Sequence, residues 1–171
     1  MLAYAKGDSA AFDALYAHYK GPLYRFFVLQ CGNRALAEEL YQELWMRVIQ
    51  HRSDYQHKAR FSTWLYHIAH NLLMDHFRKT VPEYADDELE LQEADDSYDP
   101  VAHHVSQEKL SHFLAMLHNL PPAQRQVFLL KEEAGLSLEE IAQVTGTNFE
   151  NVKSRLRYAV KKLRQALIDA A

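Results

Sequence analysis

LSLEEIAQVTGTNFENVKSRLRYAVKKLRQAL, residues 136–167, is the stretch that decides the fold. Ser137 with Glu140 three residues on is a capping box, which starts a short helix through Val144. Gly146 then turns the chain, and Asn148 caps a last, long helix. Ala142, Gly146 and Val152 fall where a helix-turn-helix needs a small residue at the helix contact, a left-handed turn and an apolar anchor. Along the last helix Val152, Leu156, Ala159, Leu163 and Leu167 form one apolar stripe. Lys153, Arg155, Arg157, Lys161, Lys162 and Arg164 occupy the remaining surface. Lys153, Arg157 and Lys161 recur every four residues and so project from one side. Cations on a helix of this size neutralise phosphates in a major groove and donate to guanine edges. A solvated basic face would also favour the C-terminal dipole, but the box, turn and small residue together tip the reading toward DNA.

Working outward, the five glycines and five prolines sit mostly at breaks between segments of helical periodicity, which predicts an all-α chain. Leu120-Pro121-Pro122 opens a helix over Ala123–Glu133 that Gly135 ends, and an earlier one is expected from about Pro100 to His118. In the first half Asp8 caps a helix carrying Phe12, Leu15, Tyr16 and Tyr19, which Gly21-Pro22 is expected to break. A second helix carries Leu23, Phe26, Phe27 and Val28 as far as Gly32. A third spans Arg34–Gln50 with Ala37, Leu40, Leu44 and Val48 on one stripe. A fourth starts after Ser62 or Thr63, carries Trp64, Leu65, Ile68 and Leu72, and runs to about Lys79.

The formal charge of −4 hides an asymmetry. Nine acids and no Lys or Arg lie between Thr80 and Pro100, leaving 14 acidic against 19 basic side chains elsewhere, a balance of +5. Mildly basic halves around an acidic middle point to an anionic partner. A polar, proline-bounded stretch of this kind cannot bury enough apolar surface to offset its ordering entropy. Residues 81–100 are therefore expected to form a flexible acidic linker spanning about 25 Å. It would join two small helical domains, 1–80 and 101–171.

No stretch approaches the roughly 20 apolar residues of a membrane span, and no basic segment leads into an apolar run at the N-terminus. A cytoplasmic protein without membrane insertion is expected. The single cysteine, Cys31, excludes an internal disulfide and a multi-cysteine metal site, and reads as a small apolar filler.

The residues resemble the extracytoplasmic-function (ECF) sigma factors of the sigma-70 family, which retain regions two and four. LPPAQRQVFLL (120–130), LSLEEIA (136–142) and VKSRL (152–156) are similar to region four; AEELYQE (37–43) and FSTWLYHIAHN (61–71) are similar to region two. The resemblance implies a transcription initiation factor, not an enzyme, with no cofactor and no metal. Its implied partners are core RNA polymerase, promoter DNA as duplex and melted nontemplate strand, and an anti-sigma factor. Region four would read the minus-thirty-five element through Lys153, Ser154, Arg155, Arg157, Tyr158 and Lys162, with Lys131 and Glu139 near the backbone or base edges. Glu150 stands where the family usually has glycine, and Tyr158 and Val160 replace usual arginines, so the preferred DNA sequence stays open.

In region two, Glu38, Glu39, Gln42, Glu43 and Met46 would face the clamp helices of the polymerase, although Leu36 replaces a usual aspartate. Around the loop Ser53–Arg60, Tyr55, Phe61 and Asn71 would hold an extruded minus-ten base, while Lys58, Arg60, Arg78 and Lys79 grip phosphates. Trp64 is expected to serve mainly the core. Tyr55 and Asn71 are expected on the loop and the polar face. His67, His70, Asp75 and His76 also offer a rival, a metal-dependent phosphohydrolase, but only His67 and His70 share a face and no second His-Asp pair follows. A dimeric repressor with the same helix-turn-helix is the other rival, against which the two-block helical layout argues.

Overall fold

The computed structural model describes residues 1–80 and 107–169, and among these it contains eight helices and no strand. The expected linker, and the expected start of a helix near Pro100, lie outside the described residues. A short α1 (Leu2–Ala5), not anticipated from periodicity, precedes α2 (Ser9–Cys31), α3 (Arg34–Gln50) and α4 (Phe61–Thr80). The C-terminal half contains α5 (Gln107–His118), α6 (Pro122–Glu132), α7 (Leu138–Thr145) and α8 (Phe149–Asp169).

Local chemistry sets most boundaries. Asp8 accepts a hydrogen bond from the Ala11 amide at 3.3 Å, and Asn33 does the same for Leu36 at 3.0 Å. Gly32, at φ 65°, ends α2 in the left-handed region, with its amide donating to the Val28 carbonyl. The break expected at Gly21-Pro22 does not occur, for α2 runs straight through it. A proline disfavours helix in the preceding residue largely by colliding with its Cβ, and Gly21 has none. The ladder bond lost at Pro22 is offset by burial of Leu23, Phe26 and Phe27 in the next two turns. Helix α4 begins slightly earlier than expected, at Phe61.

α2, α3 and α4 pack around Leu23, Phe26, Phe27, Leu40, Leu44, Leu65 and Leu73; α5–α8 enclose Leu117, Leu130, Ile141, Val152 and Ala159. The two halves are in contact: α2 lies against α5 and α6, and α4 against α7, so both sets belong to one continuous buried cluster. The tie between halves has a polar part. Arg25 Nε donates to Glu133 at 2.8 Å, Gln126 Nε2 meets His70 Nδ1 at 2.8 Å, and Thr63 Oγ1 donates to Glu140 at 3.1 Å. The two halves thus close on each other. Partners drawn from both halves lie far apart in sequence, so the periodicity of one half does not say what it meets in the other.

Cys31 is only partly buried by surface area, and desolvation pushes its thiol up to about 12, opposed by the charge of Arg125. It packs against the core as a half-buried residue, less enclosed than the buried filler expected of it.

Candidate nucleic-acid interface

The helix-turn-helix forms as its caps dictate. Ser137 Oγ accepts from the Glu140 amide at 3.2 Å, and Glu140 accepts in return from the Ser137 amide at 2.8 Å. Gly146 takes φ 65°, and Asn148 Oδ1 accepts from Asn151 N at 2.8 Å to start α8. Val152, Ala159 and Leu163 are buried, Leu156 is half-buried, and Leu167 is 47% exposed. Leu167 thus departs from the expected stripe.

Lys153, Arg157 and Lys161 are exposed on one flank of α8 and, with Arg164, rim an open groove of about 440 Å³ whose floor includes Leu138 and Val160. Arg155, Tyr158 and Lys162 lie on the other flank, as the 100° step per residue requires. Tyr158 is exposed, with the Arg157 guanidinium 5.2 Å from its ring centre; Ser154 and Arg155 are half-buried. Lys131 is exposed and its Nζ donates to the Leu136 carbonyl at 3.3 Å, at the entry to the helix-turn-helix. Glu139, exposed in the first turn of α7, has its carboxyl held below the usual range by its own backbone amide, the Ser137 hydroxyl and the charge of Lys131. An anion-seeking surface therefore runs along α8 and back to Lys131.

The other candidate surface surrounds residues 51–60. Tyr55 was expected to be presented by this loop. Its ring instead turns inward, 7% exposed, edge-on to Phe61 at 6.0 Å and Trp64 at 5.1 Å. Three aromatics bury more apolar area against each other than any could in isolation, which overrides the polarity of the loop. Trp64 is half-buried, and it borders two shallow cavities. One, of about 340 Å³, is lined by Lys58, Thr63 and His67 and, from α7, by Gln143 and Val144. The other, of about 300 Å³, is lined by Arg47, His51, Ile68 and the exposed Asn71. Arg60 is exposed, with its guanidinium 3.5 Å from Glu140. Arg78 and Lys79 are exposed at the far end of α4, about 27 Å along the helix from Arg60, so these cations are not gathered at the loop. Arg78 pairs with Asp75.

The third expected surface is α3. Glu39, Gln42 and Met46 are exposed, Met46 by 54%. Glu38 accepts from Arg34 at 3.3 Å and from the Tyr24 hydroxyl at 3.2 Å, and half-buried Glu43 pairs with Arg47 at 2.6 Å.

Sequence reading missed the wall that α7 contributes beside the loop, through Glu140, Gln143 and Val144. One signal was present: Thr63, His67 and His70 share a helix face at spacings of four and three. That face meets α6 and α7. No group of three or more His, Cys, Asp or Glu side chains could hold a metal among the described residues, and no described helix is long and apolar enough to cross a membrane.

Residues 15–81 match the family model Sigma-70 region 2, and residues 112–163 match Sigma-70, region 4. The chain is 32% identical over 173 residues to the ECF RNA polymerase sigma factor SigW of Bacillus subtilis, a match covering 96% of this chain and 92% of SigW. It is 31% identical over 170 residues to the ECF RNA polymerase sigma factor BldN of Streptomyces coelicolor, covering 96% of this chain but 63% of BldN. Among solved structures, the sigma factor RpoE of Bartonella quintana, in complex with the anti-sigma factor NepR, superposes with a TM-score of 0.68 at 20% identity. That match covers 92% of this chain and 96% of RpoE, and it shows the fold alone.

Proposed function

Because the chain belongs to the ECF RNA polymerase sigma factors of the sigma-70 family, we propose that it directs promoter-specific transcription initiation with its two halves dividing the work. Residues 1–80 act as region two and residues 101–171 as region four. α8 lies in the major groove of the minus-thirty-five element, with Lys153, Ser154, Arg155, Arg157, Tyr158 and Lys162 on DNA and Lys131 and Glu139 at its border. The loop and α4, through Lys58, Arg60, Phe61 and Asn71, hold the melted minus-ten strand. Tyr55 supports Phe61 and Trp64 from behind and reaches a base only if the loop rearranges. Arg78 and Lys79 meet phosphates farther along the same strand. Glu38, Glu39, Gln42, Glu43 and Met46 form the face for core polymerase.

The observation that carries this reading is the uncovered row Lys153, Arg157 and Lys161 on α8, which Asn148 caps after the capping-boxed α7 and its left-handed glycine turn. Such a row gains from phosphate neutralisation, and bidentate contacts to guanine add sequence discrimination. Two modest DNA sites in one chain gain avidity only when a third body fixes their separation, and core polymerase supplies that frame. The free chain accordingly binds promoter DNA poorly. It works in the cytoplasm, as an initiation factor and not as a catalyst. An anti-sigma factor that holds the two halves in an inactive arrangement is the remaining partner.

Run-off transcription with core polymerase tests the assignment. Lys153→Glu with Arg155→Glu is expected to abolish promoter-specific initiation while core binding persists. Unchanged promoter output would remove α8 as the reading helix.

A further inference from the structure

Thr63, His67 and His70 form one stripe on α4, and each meets a particular group of the other half. The Thr63 hydroxyl donates to Glu140 at 3.1 Å. His67 Nδ1 lies 3.3 Å from the Val144 carbonyl oxygen, so that nitrogen carries a proton. His70 Nδ1 lies 2.8 Å from Gln126 Nε2. With the amide nitrogen facing it, His70 Nδ1 is the acceptor and its ring is neutral.

We infer that the contact between the two halves is an acid-labile latch, closed while His70 is neutral and opened when that imidazole takes up a proton. Protonated Nδ1 would point its N–H at the N–H of Gln126. Turning the amide over would present its oxygen, but Gln126 is 5% exposed and the half-buried imidazolium would still be largely withdrawn from water. Among the described residues no carboxylate is among the groups that act on it. From α6 the nearest charged residue in sequence to Gln126 is the cation Arg125, whose guanidinium donates to the His118 carbonyl at 3.0 Å. From α7 Glu140 faces Thr63 and Arg60, about 10 Å along α4 from His70. On α4 itself the titratable neighbour is His67, a second imidazole.

Burial holds the His70 imidazole below its ordinary range; the bond to Gln126 opposes this, and the nearby His67 adds to it. The closed form therefore has its full stability above about pH 6.5, the ordinary value of a free histidine. It loses stability as pH falls from there through the depressed value. Between those limits the open-to-closed ratio rises by up to about tenfold per pH unit for one proton. His118, the other imidazole that burial holds low, faces Arg125 inside the C-terminal half, so its protonation loosens α5 on α6 and not α4 on α6. Opening would withdraw Gln143 and Val144 from the cavity beside Trp64 and release Arg60 from Glu140.

Small-angle scattering of the full chain between pH 7.5 and 5.5, with far-UV circular dichroism on the same samples, tests the latch. The radius of gyration should rise on acidification at constant helicity, and His70→Gln should remove most of that rise. No expansion in the wild type, or the same expansion in His70→Gln, would overturn it. Should that variant fail to fold, NMR titration of the wild-type imidazoles decides: expansion must coincide with protonation of His70. Expansion that tracks another histidine would refute the latch.

Discussion

α8 and the loop at residues 51–60 are both proposed to meet DNA, and the closed fold treats them in opposite ways. Lys153, Arg157, Tyr158, Lys161 and Lys162 stand in solvent, whereas the loop has α7 beside it, Tyr55 folded under it and Arg60 near a carboxylate. The chemistry of the two tasks explains why only one can be hidden this way. Attraction of a cation to phosphate acts through solvent over roughly a Debye length, about 10 Å at ordinary salt. Stacking and base-edge bonding require direct contact. On the proposed roles, a helix packed beside an aromatic cluster would suppress strand capture while leaving duplex attraction in place. The covered surface lies in the first half of the molecule, although the groups beside it, Glu140, Gln143 and Val144, belong to the second.

The comparison breaks most severely if the open face of α8 is inverted. Lys153→Glu with Arg157→Glu should weaken duplex promoter binding by the polymerase complex on the order of 100-fold or more, since each specific contact is worth about 1–3 kcal/mol and reversal adds repulsion. Electrophoretic mobility shifts with core polymerase present would measure it. Binding of a melted minus-ten strand should change far less, and equal losses on both substrates would mean that the two surfaces do not divide the work.

On the covered side, Glu140 does two jobs. Its carboxylate closes the capping box of α7 and also holds Thr63 and Arg60. Glu140→Ala should cost about 1–2 kcal/mol of stability from the lost cap and contacts, and raise binding of single-stranded DNA by the free chain several-fold. Ser137→Ala is the control. It removes the same cap at a cost of about 1 kcal/mol but leaves the contact with the loop, so thermal denaturation should register it while fluorescence anisotropy with a single strand should not. Equal gains in strand binding from both substitutions would show that loosening of α7, not uncovering of the loop, is responsible.

Salt dependence offers a finer contrast. Lys161→Ala should reduce the slope of log affinity against log salt by about 0.9 for duplex DNA, one counterion's worth. Arg60→Ala should leave that slope unchanged in the free chain at neutral pH, because Glu140 already serves as its counter-charge.

The parts of this architecture that were legible from sequence are those decided within a few residues. Asp8, Ser137 and Asn148 cap, Gly32 and Gly146 terminate, and the box at 137–140 forms, because each motif brings its own partner within three or four positions. Gly21-Pro22 misled for an instructive reason: two residues that each interrupt helices are compatible with one when the glycine comes first. Tyr55 misled because loop polarity was weighed without the two aromatics that a turn of α4 delivers to it. The exposed cations of α8 and the exposed acidic and apolar face of α3 followed from periodicity alone. His70 with Gln126, 56 positions apart, and Thr63 with Glu140, 77 apart, have no local signature. A shared helix face predicts that something is met there but not what.

The smallest expected effect concerns where the closure stores its free energy. Arg25 and Glu133, two charged groups, bond across the halves at 2.8 Å, yet Arg25 is 55% exposed. A pair so open to solvent gains little over its hydrated ions and is screened by salt. A double-mutant cycle with Arg25→Ala and Glu133→Ala should give a coupling of only about 0.2–1 kcal/mol at low salt, fading toward zero at 1 M. Burial works differently, because the apolar area that α2 and α4 share with α5–α7 is insensitive to screening and is strengthened by excluded salts such as sulfate. If the coupling proved several times larger, the halves would be held by a surface ion pair, and moderate salt, not acid, would be the condition that parts them.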